Sequence, residues 1–251
     1  GGLGSRISEE SYLKPKPMIE IGDKPILWHI MKIFSSQGYN DFIICLGYKG
    51  YMIKEYFINY FLYNSDLSIN LNNNDIKAHY SNKESFNVTL VDTGLNTKTA
   101  GRLRRIKEYL GDDDFMLTYG DGVADINLNE LISFHQGHGK IGTVTVVKPT
   151  SQFGIINFEE NGLVNKFREK TADEKIWING GFFILKPKIF DYLKDDADEY
   201  MWEDYPLKNL TNDNELYAYK HNGFWKCMDA MRDKIELDNL WKTNNAKWKI
   251  W

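Results

Sequence analysis

Cysteine is scarce. Cys45 and Cys227 are the two in 251 residues, which excludes a disulfide framework. Cys45 lies in the apolar run Phe42-Ile43-Ile44-Cys45-Leu46, so it is expected to be a buried free thiol. No apolar run reaches the roughly 18 residues of a membrane-spanning helix, and no signal peptide is evident, so a soluble cytoplasmic protein is expected. Excess basic charge is also lacking. Thirty-one Lys and Arg face 35 Asp and Glu, the net charge is -4, and the basic residues are dispersed, which argues against a nucleic-acid surface. The five histidines (His29, His79, His135, His138, His221) fall at no metal-ligand spacing; surface roles are expected and zinc is not. Internal repeats, low-complexity linkers and clear boundaries are absent. The chain is therefore taken as one domain, 1–251, with halves 1–150 and 151–251. What is abundant is aromatic: 14% of residues, with seven tryptophans, which favours a packed core and an oligomer interface.

The start of the chain, Gly1-Gly2-Leu3-Gly4-Ser5-Arg6, is rich in glycine and is followed by Lys14-Pro15-Lys16-Pro17-Met18. Glycines without Cβ let successive backbone N–H groups close on an anion, and Arg6 and the lysines add the matching charge. A polyphosphate such as a nucleoside triphosphate suits this arrangement; a flexible terminal tail is the plain alternative. It is not a Walker A loop, because no Gly-Lys-Ser/Thr follows. Such a loop normally leaves the carboxyl end of a central strand.

Along the chain, helical spacing is read over 25–37, 51–63, 101–110, 128–137, 189–193, 202–210 and 231–244. Strands are read over 41–46, 88–91, 115–119, 142–147, 154–158, 163–169, 180–186, 216–219 and 223–228. The asparagine-rich stretch 64–87 is open between a hairpin and a long loop. Alternating strands and helices imply a mostly parallel sheet, with the loops after the strands gathered on one edge. The glycine loop, Asp92, Asp121 and Asp229 would share that edge.

GGLGSR, KPKPMIEIGDKPILWHIM, GYKGYMIKEYF, VTLVDTG, GRLRRIKEYL, YGDGVADI, INGGFF and GFWKCMDAMRDK follow in this order. On these segments, which span nearly the whole chain, the protein resembles the sugar-nucleotide pyrophosphorylases. VDTG, GRLRR, YGDGVAD and MDAMRDK point to their cytidylyl branch. The resemblance implies an α/β, Rossmann-like nucleotidyltransferase fold with a mixed, mainly parallel central sheet and a smaller β-rich sugar-binding subregion. It implies Mg²⁺-dependent transfer from CTP to α-D-glucose 1-phosphate, with CDP-glucose and pyrophosphate as products and a homo-oligomer as the working form. Another nucleotide or hexose 1-phosphate, or an inactive nucleotide-sugar-binding subunit, are the alternatives.

The same resemblance assigns roles. Lys16 and Arg6 would be catalytic, stabilising charge at the α-phosphorus and on the leaving pyrophosphate. Lys16, set between two prolines, is expected in an extended segment. Gly1, Gly2, Leu3, Gly4, Ser5, Arg6, Lys16, Arg102, Gly120 and Asp121 would bind the nucleotide. Val91-Asp92-Thr93-Gly94 would meet base or ribose. Arg104 and Arg105 are expected to face solvent. Asp121 and Asp229 would hold one Mg²⁺. Glu169, Lys170, Asn179 and Gly180 would bind the sugar phosphate, although a β-bulge also explains a glycine pair at 180–181. Asp125 and Asp233 are taken as structural. Ala100, Gln152 and Thr171 depart from the pattern of that family. A cytosine amine needs an acceptor, and no residue in the sequence identifies itself as that group.

Overall fold

In a computed structural model that describes residues 12–81, 84–148, 155–158, 164–168 and 177–251, a short ladder of β1 (Glu20–Ile21) and β2 (Lys24–Pro25) leads into the first helix. Residues 1–6, 152–154, Glu169, Lys170 and Thr171 lie outside the described residues. Pro25, at φ −60°, opens α1 (Ile26–Ser35), and only Lys32 and Ser35 of that helix escape burial. A helix apolar on every side belongs inside the fold, which makes α1 a core element. Gly38, at φ +96°, follows its last turn and donates its N–H to the Ser35 carbonyl.

β3 (Asp41–Leu46) and α2 (Gly50–Tyr63) come next, then β4 (Ser65–Asn70) and β5 (Asp75–Ser81). The asparagine-rich stretch is thus a hairpin: β4 pairs antiparallel with β5, and Asn74 takes the left-handed turn position at φ +56°. β6 (Asn87–Asp92) runs parallel to β3 with Leu46 opposite Asp92, so both strands end at one edge. α3 (Thr99–Arg105) is shorter than the periodicity suggests. The Ile106 N–H reaches back to Leu103, tightening the chain into the 3₁₀ turn Lys107–Tyr109.

β7 (Phe115–Thr118), β8 (Gly122–Ala124), α4 (Leu128–His138) and β9 (Gly142–Val147) complete the first half. Asn127 caps α4 by accepting from the N–H groups of Asn129 and Glu130. The second half contains β10 (Ile155–Phe158), β11 (Val164–Arg168), β12 (Ile178–Leu185), α5 (Pro206–Asn212), β13 (Leu216–His221), β14 (Trp225–Cys227) and α6 (Met231–Lys242). Two expected helices differ. Residues 187–192 form a 3₁₀ run, and 202–205 stay in a turn because the α-helix waits for Pro206, whose fixed φ suits the first helical position.

The main sheet has the order β13-β9-β12-β7. β7, β9 and β13 run one way and β12 alone runs against them, a mixed sheet of α/β type. Along β12 the side chains alternate between two cores. Phe182 and Ile184 join α1, β8, Leu237 and Trp248 on one face. Phe183 and Leu185 join α3, Ile189, Trp202 and Leu210 on the other. Burying each such side chain stabilises the fold by about 1.5–3 kcal/mol. Helices therefore cover both faces of the sheet. Of the described helices, none is long and apolar enough to cross a membrane.

The free edges of β3 and β7 line a common cavity of about 1210 Å³. Asp41–Cys45 and Phe115–Thr118 line it, as do Pro15, Pro17, Gly120, Asp121 and Glu203.

Candidate active site

Two aspartates from distant parts of the chain meet because two short strands pair. β8 and β14 are antiparallel with Gly122 opposite Cys227, so the residues just outside that ladder, Asp121 and Asp229, come side by side. The Met228 N–H closes the arrangement on the Asp121 carbonyl at 2.8 Å. Lys16 reaches both. Its Nζ stands 2.7 Å from Asp121 Oδ2 and 2.7 Å from Asp229 Oδ1.

The lysine is delivered by a turn, not by the extended segment its prolines suggest. Pro15 alone is extended, at ψ 143°; Lys16–Met18 is a single 3₁₀ turn closed by the Met18 N–H on the Pro15 carbonyl at 2.7 Å. The proline clash that disfavours the helical region at Lys16 is outweighed by that hydrogen bond and by burial of Met18. Gly120 contributes by what it lacks: a Cβ there would stand 3.1 Å from Pro17 Cγ, so the lysine segment lies against the bare backbone ahead of Asp121.

Burial on its own would lower the Lys16 pKa. The charges and hydrogen bonds of Asp121 and Asp229 outweigh it and hold the ammonium above its ordinary value. Nearby, burial first and then the Asp229 and Asp121 charges push the Cys227 thiol up to about 11. That thiol stays protonated at neutral pH and is a poor nucleophile.

Two carboxylate oxygens converging on one cation, with the aspartates 29% and 42% exposed, is the donor chemistry of a hard divalent ion. Among the described residues no cluster of three or more His, Cys, Asp or Glu could hold a metal. An ion at Asp121 and Asp229 therefore fits the Mg²⁺ habit of taking one or two carboxylates, with the rest of its shell filled by water and phosphate.

Behind Asp229 stands Asp233, in the first turn of α6. Its Oδ2 accepts from the backbone N–H of Asp229 at 3.1 Å and of Ala230 at 2.8 Å. Lys226 Nζ sits 3.3 Å from its other oxygen. Asp233 holds the backbone of the loop that carries Asp229. Asp125, also expected to be structural, pairs with His221 at 3.0 Å.

Arg102 is buried at 6% exposure. Its Nη1 donates to the Leu46 carbonyl at 2.9 Å and to Thr93 Oγ1 at 2.7 Å, and its Nη2 to the Leu95 carbonyl at 3.3 Å. It thus ties the end of β3 to the loop after β6. Arg105, expected to face solvent, also serves this loop, donating to the Thr93 carbonyl at 3.1 Å and pairing with Asp198. Arg104 is exposed and pairs with Asp195. The loop itself is an Asx turn, with Asp92 Oδ1 accepting from Gly94 N–H at 3.0 Å.

Asn179 and Gly180 lie at a bulge in β12, where register with β9 shifts between Asn179 and Phe183. A Cβ on Gly180 would come within 2.9 Å of Val147 Cγ1, and its carbonyl accepts from Trp225 Nε1 at 2.7 Å. The Asn179 amide donates to the Tyr119 hydroxyl, which is hydrogen-bonded to Glu203. Burial and the Glu203 contact both raise the Tyr119 pKa.

Glu203 escapes a reading of the sequence. An acid just ahead of a helix reads as a dipole partner, and its contacts lie 84 residues away at Tyr119. The histidines differ from expectation too. His29, His135 and His221 are buried, each as a hydrogen-bonded ring.

A lysine held between two aspartates at the strand ends of an α/β sheet is the arrangement of a nucleotidyltransferase. The profile of the nucleotidyl transferase family matches residues 1–239, and the chain belongs to that family. It is 51% identical over 252 residues to a glucose-1-phosphate cytidylyltransferase of Salmonella typhi, covering 100% of this chain and 97% of that one. A probable glucose-1-phosphate cytidylyltransferase of Bacillus subtilis is 47% identical over 251 residues, with the same coverage. In fold it is similar to a UDP-glucose pyrophosphorylase solved with UDP-glucose, at TM-score 0.67 and 19% identity, covering 97% of this chain and 96% of that one.

Proposed function

We propose that the chain transfers the cytidylyl group of CTP to α-D-glucose 1-phosphate, giving CDP-glucose and pyrophosphate. The observation that carries this reading is the Lys16 ammonium poised between Asp121 and Asp229. The full-length likeness to cytidylyltransferases supports the choice of nucleotide and sugar.

A phosphate oxygen of the sugar phosphate attacks the α-phosphorus of CTP in line. The new P–O bond forms as the bond to the bridging oxygen breaks, and pyrophosphate departs with the electron pair. Such a reaction asks for positioning and charge stabilisation rather than covalent help. Gly1, Gly2, Leu3, Gly4, Ser5 and Arg6 cradle the nucleotide and its phosphates. Lys16 gives its charge to the α-phosphoryl oxygens. Asp121 and Asp229 would hold Mg²⁺, which when bound neutralises phosphate charge. Asp92–Gly94 meets base or ribose, in a loop that Arg102 keeps in place. Glu169, Lys170, Asn179 and Gly180 receive the sugar phosphate. The protonated Cys227 is consistent with direct transfer and no covalent intermediate.

The working form is a homo-oligomer in the cytoplasm. The exposed apolar side chains of Ile58, Phe61 and Tyr63 on α2 and of Ile69, Leu71 and Ile76 on the hairpin support association.

Pyrophosphate release from the protein with glucose 1-phosphate, Mg²⁺ and each of CTP, UTP, dTTP, ATP and GTP tests the reading. Strong preference for CTP is expected. Preference for UTP or dTTP would move the substrate, and release with none would remove the reaction.

A further inference from the structure

Beside the two aspartates stands a second polar cluster with one group left unsatisfied. Asn179 Oδ1 accepts from the Gly181 N–H at 2.8 Å, which fixes the amide so that its Nδ2 donates to the Tyr119 hydroxyl at 3.3 Å. Tyr119 has a single hydroxyl proton, and it goes to Glu203 Oε1. The other carboxylate oxygen, Oε2, is buried and has no hydrogen-bond partner among the described residues. A carboxylate oxygen can only accept, and a buried acceptor without a donor weakens the fold unless a ligand supplies one.

The surrounding packing holds that oxygen in place. Trp202, 1% exposed, anchors the turn with its ring edge-on to Phe183 at 5.9 Å, and its backbone N–H donates to Thr99 Oγ1 at 2.7 Å. Tyr119 lies edge-on to the same Phe183 at 5.9 Å. Gly181, at φ +79°, leaves room for it: a Cβ there would stand 2.8 Å from Tyr119 Cδ2. Glu203, Tyr119, Gly120 and Asp121 line one cavity. A preorganised acceptor two residues' reach from Asp121 along Tyr119-Gly120-Asp121, backed by a rigid aromatic, has the build of a specificity residue.

We propose that Glu203 reads the sugar: its Oε2 accepts a hydrogen bond from a hydroxyl of the hexose phosphate, in an array with Tyr119 and Asn179. This rests on the sugar-phosphate reading of the site given above. The exocyclic amine of cytosine is also a donor. The sugar is favoured because Glu203 connects through Tyr119 to Asn179 at the β12 bulge, in the half of the chain that carries the sugar elements, while the nucleotide loop comes from the other half.

The test is steady-state kinetics of the full chain and of Glu203→Gln and Tyr119→Phe, with glucose 1-phosphate and its 2-, 3-, 4- and 6-deoxy analogues at saturating CTP. A site built around a hydroxyl rejects the analogue that lacks it, so one deoxy compound should lose about 100-fold or more in kcat/KM with the unmodified chain. In Glu203→Gln that penalty shrinks several-fold, KM for glucose 1-phosphate rises by about 10-fold, and KM for CTP holds. Tyr119→Phe shows a smaller shift against the same analogue. An unchanged deoxy profile in Glu203→Gln overturns the proposal, as does a higher KM for CTP with KM for the sugar unchanged, which would assign Glu203 to the base. Melting curves accompany each variant. If Glu203→Gln does not fold, Glu203→Asp, which keeps the charge and withdraws it by one methylene, is expected to lose the same discrimination and decides the matter. The unmodified chain separates the two levels: no turnover of CTP with glucose 1-phosphate removes the reaction itself, whereas turnover with an unchanged profile in the variants removes Glu203 alone.

Discussion

The Lys16 ammonium sits where a divalent cation would be held, and its charge neutralises two carboxylates that would otherwise repel. Asp121 and Asp229 would hold Mg²⁺, which would take over the neutralisation that Lys16 gives them here. How well the aspartates hold the metal depends on Asp233, which fixes the backbone of residues 229 and 230. Asp233→Ala is expected to weaken the apparent affinity for Mg²⁺ by about 10-fold or more, and Asp233→Asn, which keeps an acceptor, to recover part of it. A Mg²⁺ titration of turnover, read beside the melting temperature, checks this; an unmoved midpoint would reduce Asp233 to a helix residue. The Lys16, Asp121 and Asp229 positions were visible in the sequence because each sits in a short segment marked by proline, glycine or a strand end. Asp233 and Glu203 were not, because their meaning lies in backbone groups and partners that only folding brings near.

At the scale of elements, α1 and the C-terminal residues lock together through rings. Trp241, Trp248 and Trp251 surround His29, and Trp248 is fully buried. His29 Nε2 donates to the Ile21 carbonyl at 2.9 Å, and Nδ1 accepts from Trp248 Nε1 at 3.4 Å, an arrangement that requires the neutral ring. Burial accordingly pushes the His29 pKa down to about 4. In the unfolded chain the ring titrates near 6.5. Between those values the unfolded state binds the extra proton, so this contribution is complete above about pH 6.5 and is lost as pH falls toward 4. The loss amounts to about 3 kcal/mol. Urea unfolding from pH 7 to pH 4 is expected to show it, with a shallower slope in His29→Gln; equal slopes would contradict the assignment. Most strands and helices were readable from period alone. Others were not: β1, β2 and β8 are only two or three residues long, the hairpin of β4 and β5 faces water and carries little pattern, α3 ends early in a 3₁₀ turn, residues 187–192 wind as a 3₁₀ run, and the 202–205 turn precedes α5 because Pro206 sets where the helix begins.

Across the whole molecule, β12 divides the interior into two cores and the carboxyl ends of β7 and β14 deliver the two aspartates to one edge. That edge, and not any single loop, is what joins Lys16 to residues 105 and 213 positions away. The strand order and the histidine cores could not be read from sequence, because both depend on which faces meet. The measurement that tests the central claim most directly is the rate of CDP-glucose formation from CTP and glucose 1-phosphate by Lys16→Ala, set beside the unmodified chain, with melting curves of both. Loss of the positioned charge predicts a fall in kcat/KM of at least about 100-fold with the fold intact. A variant that folds and turns over at the unmodified rate would contradict the account.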